Sequence, residues 1–293
     1  MLNSSMPSKL LLCTDLDRTL LPNGAEPEHP QARKSFRRFC QLPFVTLVYV
    51  SGRDRGLVQQ AIAEYALPQP DYAVTDVGTT IYAVNGEHWH KDEQWHEHLA
   101  VSWRGLSRHH LQQALDGLYP LVLQSDARQN RFKLSYEIPM PADTDKLLKD
   151  VRQRLEQLDV DIELIWSIDD IKHIGLLDIL PLRACKRKAI DFLQHKVGCG
   201  QSGTVFAGDS GNDLAVLASP IRSVLVANAT EEVRESAVRL ANENGNRNTL
   251  YIADNNSSPS SGNYSAGILQ GIAHFYPELK DYLEGDNVEE GDA

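Results

Sequence analysis

Apolar positions come in two patterns along the first part of the chain. Residues 10–14 (LLLCT) and 44–50 (FVTLVYV) are continuous apolar runs. They lack the every-other-residue polarity of a half-exposed strand, which predicts strands buried on both faces of a parallel sheet. Residues 31–40 and 56–65 instead space their apolar positions as a helix does, and residues 72–75 form another short strand. Strand, helix, strand, helix, strand is the signature of a doubly wound sheet.

From about Thr79 the pattern changes. Asn85-Gly86, set between residues 81–84 and 87–89, signals a tight hairpin, which parallel neighbours do not use. A helix over 107–118, strands over 121–124 and 132–137, a helix over 143–158 and a strand over 162–166 follow. Doubly wound character returns with a strand at 173–180, a helix at 186–197 and a strand at 204–207. After these come a strand at 222–227, a helix capped by Thr230 and a last helix at 265–275. The expected fold is therefore α/β: a Rossmann-like, doubly wound parallel-sheet core from residues 1–82 and 174–293, interrupted at 83–173 by an α+β insertion with an antiparallel sheet. A length of 293 residues is more than one core usually serves, which agrees with two domains.

Composition narrows the function class. Hydrophobic residues make up 42% and charged residues 24%, as in an ordinary globular protein. The net charge is −11, but residues from Glu278 onward hold seven acids and one lysine, so a solvated acidic tail carries −6 and the body only −5. No basic stripe is present, which argues against nucleic acid as a partner. Cys13, Cys40, Cys185 and Cys199 are scattered without CxxC spacing, as expected of reduced thiols in a cytoplasmic protein. The opening MLNSSMPSK lacks an apolar signal core, and no run approaches the roughly 20 apolar residues that span a bilayer, so no membrane is expected either.

The chemistry-bearing residues gather where apolar strands give out. Asp15 and Asp17 follow the first strand at i, i+2 spacing, at the carboxyl end where open α/β sheets bind ligands. Two acids there repel unless a cation or a reaction needs them, and a carboxylate can both ligate Mg2+ and attack phosphorus. Ser51, Gly52 and Arg53 end the second strand, Lys186 opens a helix, and Gly208-Asp209-Ser210-Gly211-Asn212-Asp213 cuts off a later strand. Taken singly, each of these also reads as a turn, a cap or a solvated helix residue.

Together, DLDRT, the serine of VSGR, Lys186 and GDSGND resemble, in that order, the haloacid dehalogenase superfamily of phosphohydrolases. The resemblance implies Asp15 as nucleophile, forming an aspartyl phosphate, and Asp17 as the acid and then the base. It implies that Ser51 and Lys186 bind the phosphoryl oxygens. Mg2+ would be held by the Asp15 carboxylate, the Asp17 carbonyl and Asp209, with Asn212 and Asp213 beside it or behind.

A narrower similarity runs through DLDRTLL, DVGTTIY, Trp95, Trp103, RFKLSYE, LLDILP, GDSGNDLAVL, VLVANATEEV and AGILQGIAHF. It resembles the sucrose-phosphate phosphatase branch, whose members carry a type IIB cap between the second and third motifs. The implied activity is Mg2+-dependent release of phosphate from a phosphorylated disaccharide, most directly sucrose 6-phosphate, made upstream by a sucrose-phosphate synthase-like glycosyltransferase. Gly52, Arg53, Gly78, Thr79 and Asn212 join the implied substrate contacts. Lys133 alternates with Phe132 and Leu134 and could reach a sugar hydroxyl, or lie on a solvated sheet face.

Two departures touch the sugar side: Asp76 and Thr80 stand where the family often reads SVGTEIY, and Leu182-Arg183 precede Ala184-Cys185-Lys186. Phosphates of mannosylfructose or glucosylglycerol, a sugar phosphomutase and a non-catalytic sugar-phosphate sensor are the alternatives. His88, His90, His96 and His98 form two HxH pairs that could suggest a second metal, without the partner spacing of structural zinc.

Overall fold

The structure, a computed structural model, describes residues 8–169, 172–258 and 260–284. The strands are β1 (Leu10–Thr14), β2 (Val45–Val50), β3 (Tyr72–Thr75), β4 (Thr80–Asn85), β5 (His88–Lys91), β6 (Val122–Leu123), β7 (Leu134–Pro139), β8 (Ile162–Asp169), β9 (Ile174–Pro181), β10 (Thr204–Gly208), β11 (Arg222–Leu225) and β12 (Leu250–Ile252). The helices are α1 (Ala32–Cys40), α2 (Arg55–Glu64), α3 (Glu93–Ala100), α4 (Arg108–Ala114), α5 (Thr144–Glu156), α6 (Lys186–Val197), α7 (Leu214–Leu217), α8 (Glu231–Glu243), α9 (Tyr264–Phe275) and α10 (Lys280–Glu284). Among the described residues, eight strands form one sheet in the order β12-β11-β10-β1-β2-β3-β4-β5, and β6-β7-β9-β8 form a second.

The unbroken apolar run of β1 follows from its place at the centre. Leu10 and Leu12 face one cluster with Phe36 and Phe39 of α1 and Ile268 and Ile272 of α9. Leu11 and Cys13 face the other, with Ala189, Ile190 and Leu193 of α6. Both faces are covered, so alternation has no purpose. Strands β10 and β2 flank β1 in parallel, with Thr14 opposite Ala207 on one side and Tyr49 on the other. This register brings the three carboxyl ends together. Here the strand order reverses direction, and the crevice of a doubly wound sheet lies at such a point.

Two strand assignments change. The hairpin around Asn85-Gly86 extends the large sheet: β4 runs antiparallel to β3, and β5 antiparallel to β4. An open sheet edge accepts an antiparallel neighbour as readily as a parallel one, so a hairpin signal does not exclude an α/β sheet. The strand expected to resume the core at 173–180 is β9, which sits between β7 and β8 in the antiparallel sheet. Its dense apolar sequence, IGLLDILP, mimics a two-face-buried core strand. Leu177 and Ile179 are buried in the same cluster as Val151 and Leu155 of α5, whereas Asp178, on the opposite face, pairs across strands with Ser135 and Ile165.

Helix α3 and strand β12 escape the sequence pattern. The former is short, and Trp95, His96 and Leu99 supply its buried positions. Of the residues expected in the solvated acidic tail, those up to Glu284 form a helical turn and α10, and residues 285–293 lie outside the described residues.

Candidate active site

The tip of β1 is pinned to its neighbour by the Asp15 backbone N–H, which donates to Ala207 O at 2.9 Å. Past that point Asp15 is buried, and its carboxylate takes the Leu16 N–H at 2.7 Å and Lys186 Nζ at 2.8 Å. The same ammonium donates to Asp213 Oδ1 at 2.7 Å and Asn212 Oδ1 at 2.8 Å. Lys186 is the first residue of α6, after an extended Cys185, and this placement aims its side chain across the crevice.

Asp213 is the hub of the opposite wall. Its Oδ2 accepts the backbone N–H groups of Asp209 and Ser210 and the Ser210 hydroxyl, each at 3.1 Å. A glycine at 208 is required for this: a Cβ there would lie 2.5 Å from Asp213 Cγ. Asp209 receives the Thr19 hydroxyl at 2.8 Å, with Arg18 Nε 3.7 Å away.

Burial sets the electrostatics. It pushes the Asp15 carboxyl up to about 7, with Lys186 opposing and Asp213 adding to the rise. Asp209 is lifted to about 6, again by burial first, with Asp213 adding and Thr19 opposing. Burial also opposes the Lys186 ammonium, but the Asp15 and Asp213 carboxylates outweigh it and raise the lysine above its ordinary value. Asp17 differs: burial would raise it, but the Arg53 fork, at 2.6 and 2.8 Å, and Asn23 Nδ2 at 2.7 Å hold it below the usual carboxylate range.

Asp15, Asp209 and Asp213 can each offer an oxygen within 4.8 Å of the other two, and all three are buried. One ammonium neutralises one of these charges, so the oxygen-only donor set fits a hard divalent cation. Among the described residues none of the four histidines of the HxH pairs belongs to a metal-ligating group. His88 and His90 are exposed on the edge strand β5, whereas His98 stacks on Trp95.

The other expected residues ring this centre. Ser51 is buried just beyond β2 and accepts the Arg53 N–H at 3.2 Å. Gly52 is exposed at the same turn. Gly78, at φ +92°, lets the loop approach the Ala184-Cys185 backbone, where a Cβ would meet the Cys185 carbonyl carbon at 3.2 Å. Its carbonyl accepts from Trp95 Nε1 at 3.0 Å. Thr79 is buried and receives Asn130 Nδ2 of the inserted domain at 2.8 Å. Lys133, mostly buried, meets Asp178 at 3.8 Å, and Ser135 also hydrogen-bonds Asp178.

Sequence reasoning missed Thr19, Asn23 and Asp178. Thr19 lies inside DLDRT and Asp178 inside LLDILP, so the strings were in view but not these side-chain roles.

Strand tips of a doubly wound sheet that present paired acids, a lysine and an acidic turn beneath an antiparallel-sheet domain define a phosphatase of the haloacid dehalogenase type. The chain belongs to the sucrose-6F-phosphate phosphohydrolase family, whose sequence model matches residues 8–276. It is 48% identical over 280 residues to a Nitrosococcus oceani protein described as a HAD-like hydrolase, covering 95% of this chain and 75% of the relative. It is 28% identical over 274 residues to the mannosylfructose-phosphate phosphatase of Agrobacterium fabrum, covering 90% of this chain and 96% of that one. Among solved structures, the sucrose-phosphatase of Synechocystis sp. in complex with sucrose and phosphate superposes with a TM-score of 0.69 at 28% identity, covering 91% of this chain and 98% of that one.

Proposed function

We propose that the protein is a Mg2+-dependent phosphatase of a phosphorylated disaccharide, most directly sucrose 6-phosphate, working through an aspartyl phosphate. The observation that carries this reading is the convergence of Asp15, Lys186, Asp209 and Asp213 in one buried cluster at the sheet's crevice. Asp15 is the nucleophile, and Lys186 both orients it and balances charge on the phosphoryl oxygens. Ser51 contributes a hydroxyl to the same oxygens. Bound at the Asp15, Asp209 and Asp213 oxygens, with the Asp17 carbonyl and Asn212 alongside, Mg2+ supplies charge neutralisation for the transferring group.

Asp17 gives a proton to the departing sugar oxygen and then takes one from the attacking water. The Arg53 fork holds it ionised, so the first of these tasks requires that fork to open. Gly52, Gly78 and Thr79 shape the rim between core and cap, and Lys133 with Asp178 offers a donor and an acceptor to sugar hydroxyls from the cap sheet. The substrate is the product of a glycosyltransferase acting on a sugar phosphate, which makes a sucrose-phosphate synthase-like enzyme the functional partner.

A phosphate-release screen tests the reading. With Mg2+ present, sucrose 6-phosphate is expected to give free phosphate in proportion to substrate lost, faster than mannosylfructose phosphate or glucosylglycerol phosphate. Faster release from either rival would reassign the substrate. Conversion to an isomer without phosphate would make the protein a phosphomutase, and tight binding without turnover a sensor.

A further inference from the structure

The rim between core and cap holds an acid that no step above uses. After β3 the backbone makes three successive residues at positive φ, Asp76 at 53°, Val77 at 60° and Gly78 at 92°. A β-branched residue in this region is a genuine outlier, and such conformations persist only where surrounding structure imposes them. Here the constraints come from both domains. The Asp76 N–H donates to Arg53 O at 2.9 Å, tying the turn to the loop that follows Ser51. The Thr79 hydroxyl donates to Asp76 O at 2.9 Å while accepting from Asn130 Nδ2 of the cap at 2.8 Å. Asn130 in turn bridges to Lys133 through its own N–H and the Lys133 carbonyl.

This relay links the backbones of two residues, Asp76 and Lys133, whose charged side chains have bonding capacity unused. The half-buried Asp76 accepts the Thr75 hydroxyl on Oδ2 at 3.0 Å, and Oδ1 accepts from no described residue. Lys133 meets Asp178 only at 3.8 Å and its ammonium donates to no described residue, although its side chain is 13% exposed. Burial pushes the Asp76 carboxyl above its ordinary value, and Lys133 is among the charges that ease that rise. Underused donors and an underused acceptor within electrostatic reach of each other suit a ligand that brings both, as a sugar hydroxyl does.

We propose that Asp76 is a specificity-determining residue, whose carboxylate at the core's rim accepts hydrogen bonds from the hydroxyl groups of the sugar while the phosphoryl group occupies the crevice. This rests on the reading of the protein as a sugar-phosphate phosphatase.

The test is kcat/KM of the full chain and of its Asp76→Asn and Asp76→Ser variants on sucrose 6-phosphate and on p-nitrophenyl phosphate, which has no hydroxyls to offer. The expected result is a fall of about tenfold to a hundredfold in the sugar-to-aryl ratio, carried mainly by KM for the sugar phosphate, with Asn milder than Ser. A ratio within twofold of the parent in both variants, with sugar-phosphate turnover intact, overturns the role of Asp76 alone. A parent enzyme that hydrolyses the aryl ester and no sugar phosphate overturns the role together with the reading beneath it.

Discussion

Replacing Lys186 with Met removes a charge while keeping length and apolar bulk. The ammonium lies 2.8 Å from Asp15 and 2.7 Å from Asp213, and all three residues are buried. Removing one partner of a buried pair strands the other, at about 3–5 kcal/mol. For a chain of this size roughly 2 °C of Tm is lost per kcal/mol, so the variant should melt about 6–10 °C lower near pH 8. The deficit must depend on pH. Without Lys186 the Asp15 carboxyl, already up to about 7, rises further. A carboxyl whose folded pKa exceeds its unfolded one contributes stability present below the unfolded value and lost as pH rises through the folded one. The deficit should therefore shrink toward pH 5, where a proton replaces the ammonium. Circular-dichroism melts of both proteins at pH 5, 6.5 and 8, in EDTA, read this directly. A loss below about 2 °C at pH 8, or a larger deficit at pH 5 than at pH 8, would refute the argument that Lys186 balances this cluster.

Asp15→Asn should lower phosphate release by at least about 10³-fold while the melt stays cooperative, and retained turnover would remove the covalent step. EDTA should abolish activity and Mg2+ restore it, with a thermal stabilisation of about 2.7 kcal/mol at a hundred times the Kd; a melt indifferent to Mg2+ would contradict the acid trio as its site. Gly208→Ala forces a methyl to within 2.5 Å of Asp213 Cγ and should cost about 1–3 kcal/mol together with most of the activity. A fully active, equally stable alanine variant would show that Asp213 can move freely. Because burial raises the Asp76 carboxyl, its ionisation destabilises the fold as pH rises above the ordinary carboxylate range. Asp76→Asn should thus match the parent near pH 4 and melt higher at pH 7, and the reverse order in differential scanning calorimetry would contradict the burial.

Much of the site was legible because strand-tip chemistry is local. Asp15 and Asp17 must project from the end of β1 once LLLCT is buried on both faces, and Gly208 to Asp213 ends β10 in the same way. Helix α6 begins at Lys186 where the apolar spacing placed it, because a helix start depends on neighbouring residues. Less visible was the partner of each side chain: nothing in DLDRT says that Arg53 grips Asp17 or that Thr19 serves Asp209.

The chain's own pattern determined the alternation of elements, the strand tips that carry acids and a lysine, and the presence of an inserted antiparallel unit. Each of these follows from the period of apolar residues over a few turns or pleats. Tertiary structure alone decided that the Asn85-Gly86 hairpin extends the large sheet, that β9 lies in the antiparallel sheet, and that Thr79 links the Asp76 backbone to Asn130. Those outcomes depend on which sheet edge is open and which apolar face needs cover, and no window of sequence contains that competition between distant segments.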